Sequence, residues 1–327
     1  MSSNIWINEN LHNSMNIDLP KVSVVTITYG HEKYITETLD GVLMQQYQGP
    51  VELIIANDNS PDSTDEVVKK YFSEKPAPEN FEIKYTKHET NKGMMPNFIW
   101  ALEQATGEYV ALCEGDDYWI DPLKLQKQVD FLEKHIDFSM TVGGYSNLID
   151  TKLENCISVH TPEMGINGYE VTFEMFLLNW LTKTLTLTFR KSDLEKASFN
   201  NYKYMRDVHL IYHLFQGGKC MYLLENFGVY RVHDGGVHSG ISQRQKRIVK
   251  YHVTKEIYLE TKDKRYRRTF LDVVKSVYYH DQMPSNRGDL LKEMFRLCRT
   301  PYDYLKIFNA IIFHFKNRFI NSRKNEN

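Results

Sequence analysis

The sequence predicts an α/β protein: a mostly parallel sheet flanked by helices, continued at its C-terminal end by a helical extension. Three observations carry this reading. Short β-branched runs alternate with segments of helical period through residue 117. Three of those runs end in polar clusters, where strands of an open parallel sheet meet ligands. From Ile241 onward the pattern is helical and basic.

The elements follow in order. Residues 1–20 are polar and Asn-rich and read as a flexible arm. Val22 to Thr28 is a buried strand that stops at Tyr29-Gly30. Ile35, Leu39, Val42 and Leu43 keep helical spacing. "VELIIAN", Val51 to Asn57, is a second buried strand, and "DNSPDST" after it is rich in turn and capping residues. A short helix, "DEVVKKYF", leads to a third strand, "FEIKYTKH". Met95 to Thr106 is a helix ended by Gly107, and "EYVALC" is the fourth strand. After the helix "LKLQKQVDFLEKH" the alternation loosens. "FSMTVGGYSNLID" and "KTLTLTFR" read as strands, "DVHLIYHLFQGG" as a helix, and "KCMYLLENFGVYRVH" as a hairpin-like pair of strands.

The 327 residues are 42% hydrophobic and 25% charged, ordinary for a globular chain with a large core. The formal net charge is −2, and no nucleic-acid partner is expected. The charge is unevenly placed. Residues 240–327 carry 20 Lys and Arg against 9 Asp and Glu, so the first 239 carry 20 against 33. A basic end of this kind points to an anionic surface. The four cysteines are far apart, without CxxC spacing, which argues for free thiols rather than zinc or a disulfide framework. No signal peptide and no apolar run of membrane-spanning length is read, so a cytoplasmic location is expected.

The stretch "ALCEGDDYWIDP" delivers Glu114, Asp116 and Asp117 straight off the fourth strand. Such hard oxygen ligands suit Mg²⁺ or Mn²⁺, usually shared with a ligand's phosphates. The alternative is a solvated acidic turn that opens the helix at Asp121-Pro122.

"VSVVTITYG", "ELIIANDNSPDST" and "NKGMMPNFIWALEQATGEYVALCEGDDYW", in that order and spacing, resemble family 2 glycosyltransferases over roughly residues 21–235. The resemblance implies a Rossmann-like nucleotide-diphospho-sugar transferase fold of A type and an inverting reaction. Two departures stand out: Glu114 replaces the first Asp of the usual Asp-x-Asp-Asp motif, and Asn57 replaces the first acid after the second strand. The implied division is an arm at 1–20, a catalytic domain at 21–240 and a basic helical extension at 241–327. Within the catalytic domain, the nucleotide half is about 21–120 and the acceptor half about 121–240.

By this resemblance Asp58 contacts the base, Tyr29 walls it, Asn97 reaches the nucleotide or sugar, and Glu114 and Asp116 contact ribose or metal. Asp117 is the favoured metal ligand, Asp116 the next, and His233 a third candidate that stands against a merely structural histidine. The implied base is Asp207, at the head of a helix where an N-cap is the plain alternative. His209 and His213, at i and i+4, read as structural. Asn179, Trp180 and Thr184 are expected to shape an acceptor pocket.

The resulting expectation is transfer from a nucleoside-diphosphate sugar, UDP-linked by preference, to a saccharide or lipid-linked acceptor in surface polysaccharide assembly. Mn²⁺ or Mg²⁺ is the expected cofactor. A non-catalytic nucleotide-sugar binder stays open. A nucleotidyltransferase is disfavoured because "TITYGHEKY" lacks a Gly-rich phosphate loop. The C-terminal stretch has apolar residues at Leu305, Ile307, Phe308, Ile311, Ile312, Phe315, Phe319 and Ile320, with Lys306, Lys316, Arg318, Arg323 and Lys324 interspersed. It suits an anionic membrane on the inner face of the cytoplasmic membrane, or packing on its own domain or on the second copy of a homodimer.

Overall fold

The structure is a computed structural model, and it describes residues 19–324 apart from 157–167, 179–180, 182, 195–196, 198, 237–240 and 281–286. The expected arm therefore lies outside the described residues except for Leu19 and Pro20.

The N-terminal half alternates as read: β1 (Val22–Thr28), α1 (Ile35–Leu43), β2 (Val51–Asn57), α2 (Thr64–Glu74), β3 (Phe81–Lys87), α3 (Met94–Gln104) and β4 (Tyr109–Leu112). These four strands are mutually parallel in the order β3-β2-β1-β4. Both faces are covered. Val24, Leu53 and Ile55 pack on one side with Ile35, Leu39 and Val68 from α1 and α2. Their neighbours Val25, Ile54 and Ala56 pack on the other with Phe98 and Ala101 from α3. Burial on two faces is why these strands read as continuous apolar runs.

Beyond β4 the sheet becomes mixed. The next elements are β5 (Tyr118–Trp119), α4 (Lys124–Lys134), β6 (Phe138–Ile149), β7 (Lys152–Cys156), β8 (Gly168–Val171) and α5 (Phe173–Leu178). Then come β9 (Thr188–Arg190), α6 (Asp207–Gly217) and β10 (Lys219–Val232). The order continues β4-β9-β6-β10-β5, with β9 antiparallel to both neighbours and β6 parallel to β10. Two readings are corrected here. The expected strand "KTLTLTFR" is a 3₁₀ turn at Thr184–Thr186 followed by the short β9. The expected hairpin at Lys219–Val232 is one strand whose register against β6 shifts around Leu223, Asn226 and Gly228. At Gly228 a Cβ would lie 2.4 Å from Leu185 Cδ1 and 2.7 Å from the Tyr118 carbonyl, so only glycine lets β5 pair there.

The C-terminal helices are α7 (Gln243–Thr261), α8 (Lys264–Tyr279), α9 (Arg287–Leu297) and α10 (Pro301–Lys324). They share a core of Tyr251, Phe270, Val274, Met294 and Ile307. Val253, Ile257 and Tyr266 join them to Phe173 of α5 and Tyr212 of α6.

At the strand starts, Glu52 is fully buried and serves as a hub. It accepts from Ser23 Oγ, Lys84 Nζ, Thr106 N and Thr106 Oγ1, and lies 2.9 Å from Lys21 Nζ. Burial pushes its pKa up, but the bonds from Lys84, Ser23 and Lys21 outweigh that and hold it below the usual range. Its stabilisation is therefore complete above the ordinary glutamate pKa of about 4.3 and fades as pH falls through the depressed value. Glu52→Ala is expected to lower unfolding free energy by about 3 kcal/mol in urea melts at neutral pH, with the difference shrinking in acid.

Candidate active site

The polar strand ends converge. After β1, Tyr29 is 48% exposed at the rim and Gly30 turns the chain at φ +73°. The following loop is tied to the loop after β2: Gly30 N donates to Ser60 Oγ, His31 N to Thr64 Oγ1, and Glu32 N to Asp62 Oδ2, each at 3.0 Å.

The acid loop follows β4. Gly115 N donates to the Ile27 carbonyl at 2.9 Å, which lays the loop on the end of β1. A Cβ on Gly115 would lie 2.7 Å from Thr28 Oγ1 and 2.9 Å from His31 Nδ1, so the x of Glu-x-Asp-Asp must be glycine for this approach. Asp117 is buried. Its Oδ1 accepts the Arg231 N–H at 2.8 Å, and its Oδ2 is buried without a hydrogen-bond partner. Burial and the carboxylates of Asp116 and Glu114 push its pKa well up. Glu114 accepts from Thr184 Oγ1 at 2.9 Å, and burial together with Asp116 raises it to about 7. Asp116 faces the rim. Burial alone would raise its pKa, but His233 and His31 outweigh it and hold the carboxyl below the ordinary range. Their Nε2 atoms lie 3.0 and 3.8 Å from its Oδ2.

The end of β10 supplies the counter-charge. β5 pairs with β10 at Tyr118 and Val229, which brings Tyr230 to His233 alongside the acids. Arg231 Nε donates to the Asp116 carbonyl at 3.0 Å, and the guanidinium reaches Glu37 at 2.5 Å over the ring of Tyr34.

From the other half come Lys183 and Asp207. Lys183 Nζ lies 4.0 Å from the centroid of the Tyr230 ring. Burial lowers its pKa, against the pull of Asp117, Asp207 and Glu114. Asp207 opens α6. Burial raises its pKa, against the N–H of Val208 and the charges of Lys183 and Arg206. It is not the helix cap: the N-cap is Arg206, whose N–H donates to His209 Nδ1 at 3.1 Å. Asp207 Oδ1 accepts the Val208 N–H at 3.0 Å, and Glu114 and Lys183 both feel the charge of Asp207.

Two expected contacts are placed differently. Asn97 is 1% exposed, and its amide donates to the Ala56 carbonyl while its Oδ1 lies 2.9 Å from His88 Nε2. These bonds tie α3 to β2 and to the residue that follows β3. Asp58 is 2% exposed and accepts the N–H groups of Lys92 and Gly93, so it stitches the loop before α3 to the end of β2. Asn179 and Trp180 lie outside the described residues. His31 and Lys183 escaped the sequence reading. A histidine three residues past a strand, and a lysine before a turn, carry no local signal until the fold brings them to the acids.

Among the described residues no three His, Cys, Asp or Glu side chains converge as a ready ion cage. The donor set still suits a hard divalent cation held by one or two carboxylates and a ligand's phosphates. The unpartnered, buried Asp117 Oδ2 and the pairing of Asp116 with His233 mark where charge compensation is incomplete.

Polar loops gathered at the carboxyl ends of parallel strands, an acid loop among them and a second acid at a helix head close by, are the arrangement of an α/β fold that binds its ligand at the strand ends. Residues 23–182 match the family model for glycosyl transferase family 2. An uncharacterized protein of Mycobacterium tuberculosis is 32% identical over 230 residues, 69% of this chain and 63% of that protein. The chain thus spans about three-fifths of that relative's length. The GalNAc(5)-diNAcBac-PP-undecaprenol beta-1,3-glucosyltransferase of Campylobacter jejuni is 25% identical over 291 residues, 85% of this chain and 88% of that one. The crystal structure of S. aureus TarS 1-349 in complex with UDP-GlcNAc aligns with a TM-score of 0.55 at 21% identity, covering 89% of this chain and 79% of the other. Residues 23–182 thus form a glycosyl transferase family 2 domain with the A-type fold.

Gly115→Ala should lift the acid loop off Thr28 and His31. The expected result is a loss of about 1–3 kcal/mol in stability and at least roughly tenfold weaker nucleotide-sugar binding by calorimetry, as 1.4 kcal/mol is tenfold. Unchanged binding would detach the loop from the site.

Proposed function

We propose that the protein is an inverting glycosyltransferase. It moves a sugar from a nucleoside-diphosphate sugar, a UDP-sugar in this reading, to a hydroxyl of a saccharide or lipid-linked acceptor in surface polysaccharide assembly. The observation that carries the reading is that Asp117 and Glu114 of the acid loop and Asp207 at the head of α6 all bear on one buried lysine, Lys183, within a chain that matches the family model. The UDP preference draws on the UDP-GlcNAc held by the similar TarS fold, and the lipid-linked acceptor on the undecaprenol named for the Campylobacter relative. Donor and acceptor then meet on the cytoplasmic face of the membrane.

In this reading Tyr29 walls the base, and Glu114 and Asp116 face the ribose and diphosphate. Asp117 and Asp116, with His233 as a third candidate, would hold Mn²⁺ or Mg²⁺. Asp117 also ties the loop to β10 through the Arg231 N–H. A bound divalent ion supplies charge neutralisation for the diphosphate. Lys183 adds a fixed positive charge where the leaving oxygen develops its own negative charge. Asp207 takes the proton from the acceptor hydroxyl as its oxygen attacks the anomeric carbon. The bond to the diphosphate breaks on the opposite side, so the configuration inverts.

The raised pKa of Asp207 sets the pH dependence. A base must be ionised, so activity should fall on the acid side at a pH above the ordinary aspartate value of about 3.9. Asp207→Asn is expected to cut kcat by about 10²–10⁴ while leaving donor binding intact. A variant of near-normal kcat would remove Asp207 from the chemistry. For the donor, a panel of UDP-, GDP-, dTDP- and CMP-sugars should give one metal-dependent rise in melting temperature, abolished by EDTA. A well-folded sample that shifts with none of them refutes the nucleotide-sugar reading.

A further inference from the structure

α10 is apolar on two sides. Its inward side is accounted for: Ile307 is fully buried, Ala310 is 6% exposed, and Asp303 is held by Arg267 at 3.1 Å. Its outward side is not. Leu305, Phe308 and Ile312 follow at helical spacing and are 56, 53 and 52% exposed. Tyr304 and Tyr302, at 43 and 64%, flank them, and Phe295 of α9 extends the patch with its ring 6.3 Å from that of Tyr304. A helix apolar on two opposed sides normally has both covered.

The charge around this row says what covers it. Exposed Lys292, Arg296 and Arg299 lie on and just after α9. Beside the row Lys306 meets Asp272 at 3.4 Å, and further along the sequence Lys316, Arg318, Arg323 and Lys324 follow with no acid before Glu326. Two copies docked through this row would set basic surface against basic surface. An anionic bilayer meets both features: the apolar row enters the acyl boundary, tyrosines sit at headgroup level, and lysines and arginines face lipid phosphates. Among the described residues no helix is long and apolar enough to cross a membrane, so the contact is with its surface.

We infer that the outward face of α10, centred on Leu305, Phe308 and Ile312, binds an anionic lipid bilayer as an in-plane amphipathic helix. This deepens the reading of a lipid-linked acceptor and rests on it for its biological sense, but its test needs neither donor nor acceptor.

The test is co-sedimentation of the full chain with phosphatidylcholine vesicles, with and without phosphatidylglycerol. Partitioning is expected only with phosphatidylglycerol, falling as salt rises. Leu305→Glu/Phe308→Glu should lower it by about tenfold or more while the melting curve and the donor-induced shift stay as in wild type. Ile312→Glu serves as a second, milder variant. No partitioning onto anionic vesicles, or equal partitioning by wild type and both variants, overturns the proposal. So does a wild-type dimer in light scattering that the variants dissolve without any vesicle binding, since the face would then join two copies.

Discussion

Glu114, Asp116 and Asp117 are buried beside one another, with Asp207 close enough for Glu114 to feel its charge, and the cost of burying so much negative charge is the constraint around which the molecule is built. Burial is the larger cost for Glu114, Asp117 and Asp207, and repulsion from Asp116 adds to it at Glu114 and Asp117. The fold answers with cations and imidazole rings drawn from distant segments. Arg231 and the ring of His233 come from the end of β10, the ring of His31 from the turn after β1, and Lys183 from the segment before β9. Compensation stays partial: Asp116 is held ionised by its two histidines, whereas Glu114 and Asp117 are pushed towards their neutral forms. A site left short of positive charge is one that gains from a cation or cationic complex, which is the property a diphosphate-sugar donor with its metal requires.

Bringing those segments together is the task of the second half of the sheet. Trp119 and Lys124 show how it is secured. Trp119 is 1% exposed and donates to the Leu185 carbonyl at 2.7 Å. Lys124 is fully buried with no carboxylate bonded to it; its ammonium meets Gln128 Oε1 at 2.7 Å, Thr188 Oγ1 at 3.2 Å and the Trp119 ring at 4.1 Å. Burial lowers its pKa to about 7, and the ring and two oxygens take the place of a counter-ion. These contacts lock α4 to the 184–190 segment, so the loop bearing Lys183 and Thr184 is anchored from behind while its front faces the acids.

The parallel half was legible in the residues because its strands are buried on both faces and its polar clusters fall at strand ends. The acid loop, Asp207 and the Arg231–His233 segment could be picked out for the same reason: local pattern and local chemistry coincide there. What escaped has a physical cause in each case. Tyr118–Trp119 is too short a strand to show alternation. β10 looked like a hairpin because Glu225, Asn226 and Gly228 interrupt its apolar run, whereas they mark register shifts within one strand. Asp58 and Asn97 have the expected residue types at the expected places, and both have polar atoms bonded inside the fold, Asp58 to two backbone N–H groups and Asn97 to the Ala56 carbonyl and the His88 ring. Residue type and spacing cannot tell a ligand-facing amide from one that closes an internal hydrogen bond.

The C-terminal extension read as an appendage, but its first helix holds the catalytic side in place. Glu256 of α7 accepts the N–H groups of Lys203 and Tyr204 at 2.7 and 2.8 Å, and the ring of His252 stacks on Tyr204 at 4.2 Å. Those residues form the approach to Asp207. His209, fully buried one helical turn on, takes over the cap and lies 3.8 Å from the same Glu256. Burial lowers the imidazole's pKa to about 4, so it is neutral at working pH and can accept the Arg206 N–H. The head of α6 is therefore set from two sides, by a neutral histidine inside the helix and by an acid from α7. In the proposed reading the base, Asp207, inherits its position from the extension, which couples the basic helices to the head of α6 through packing.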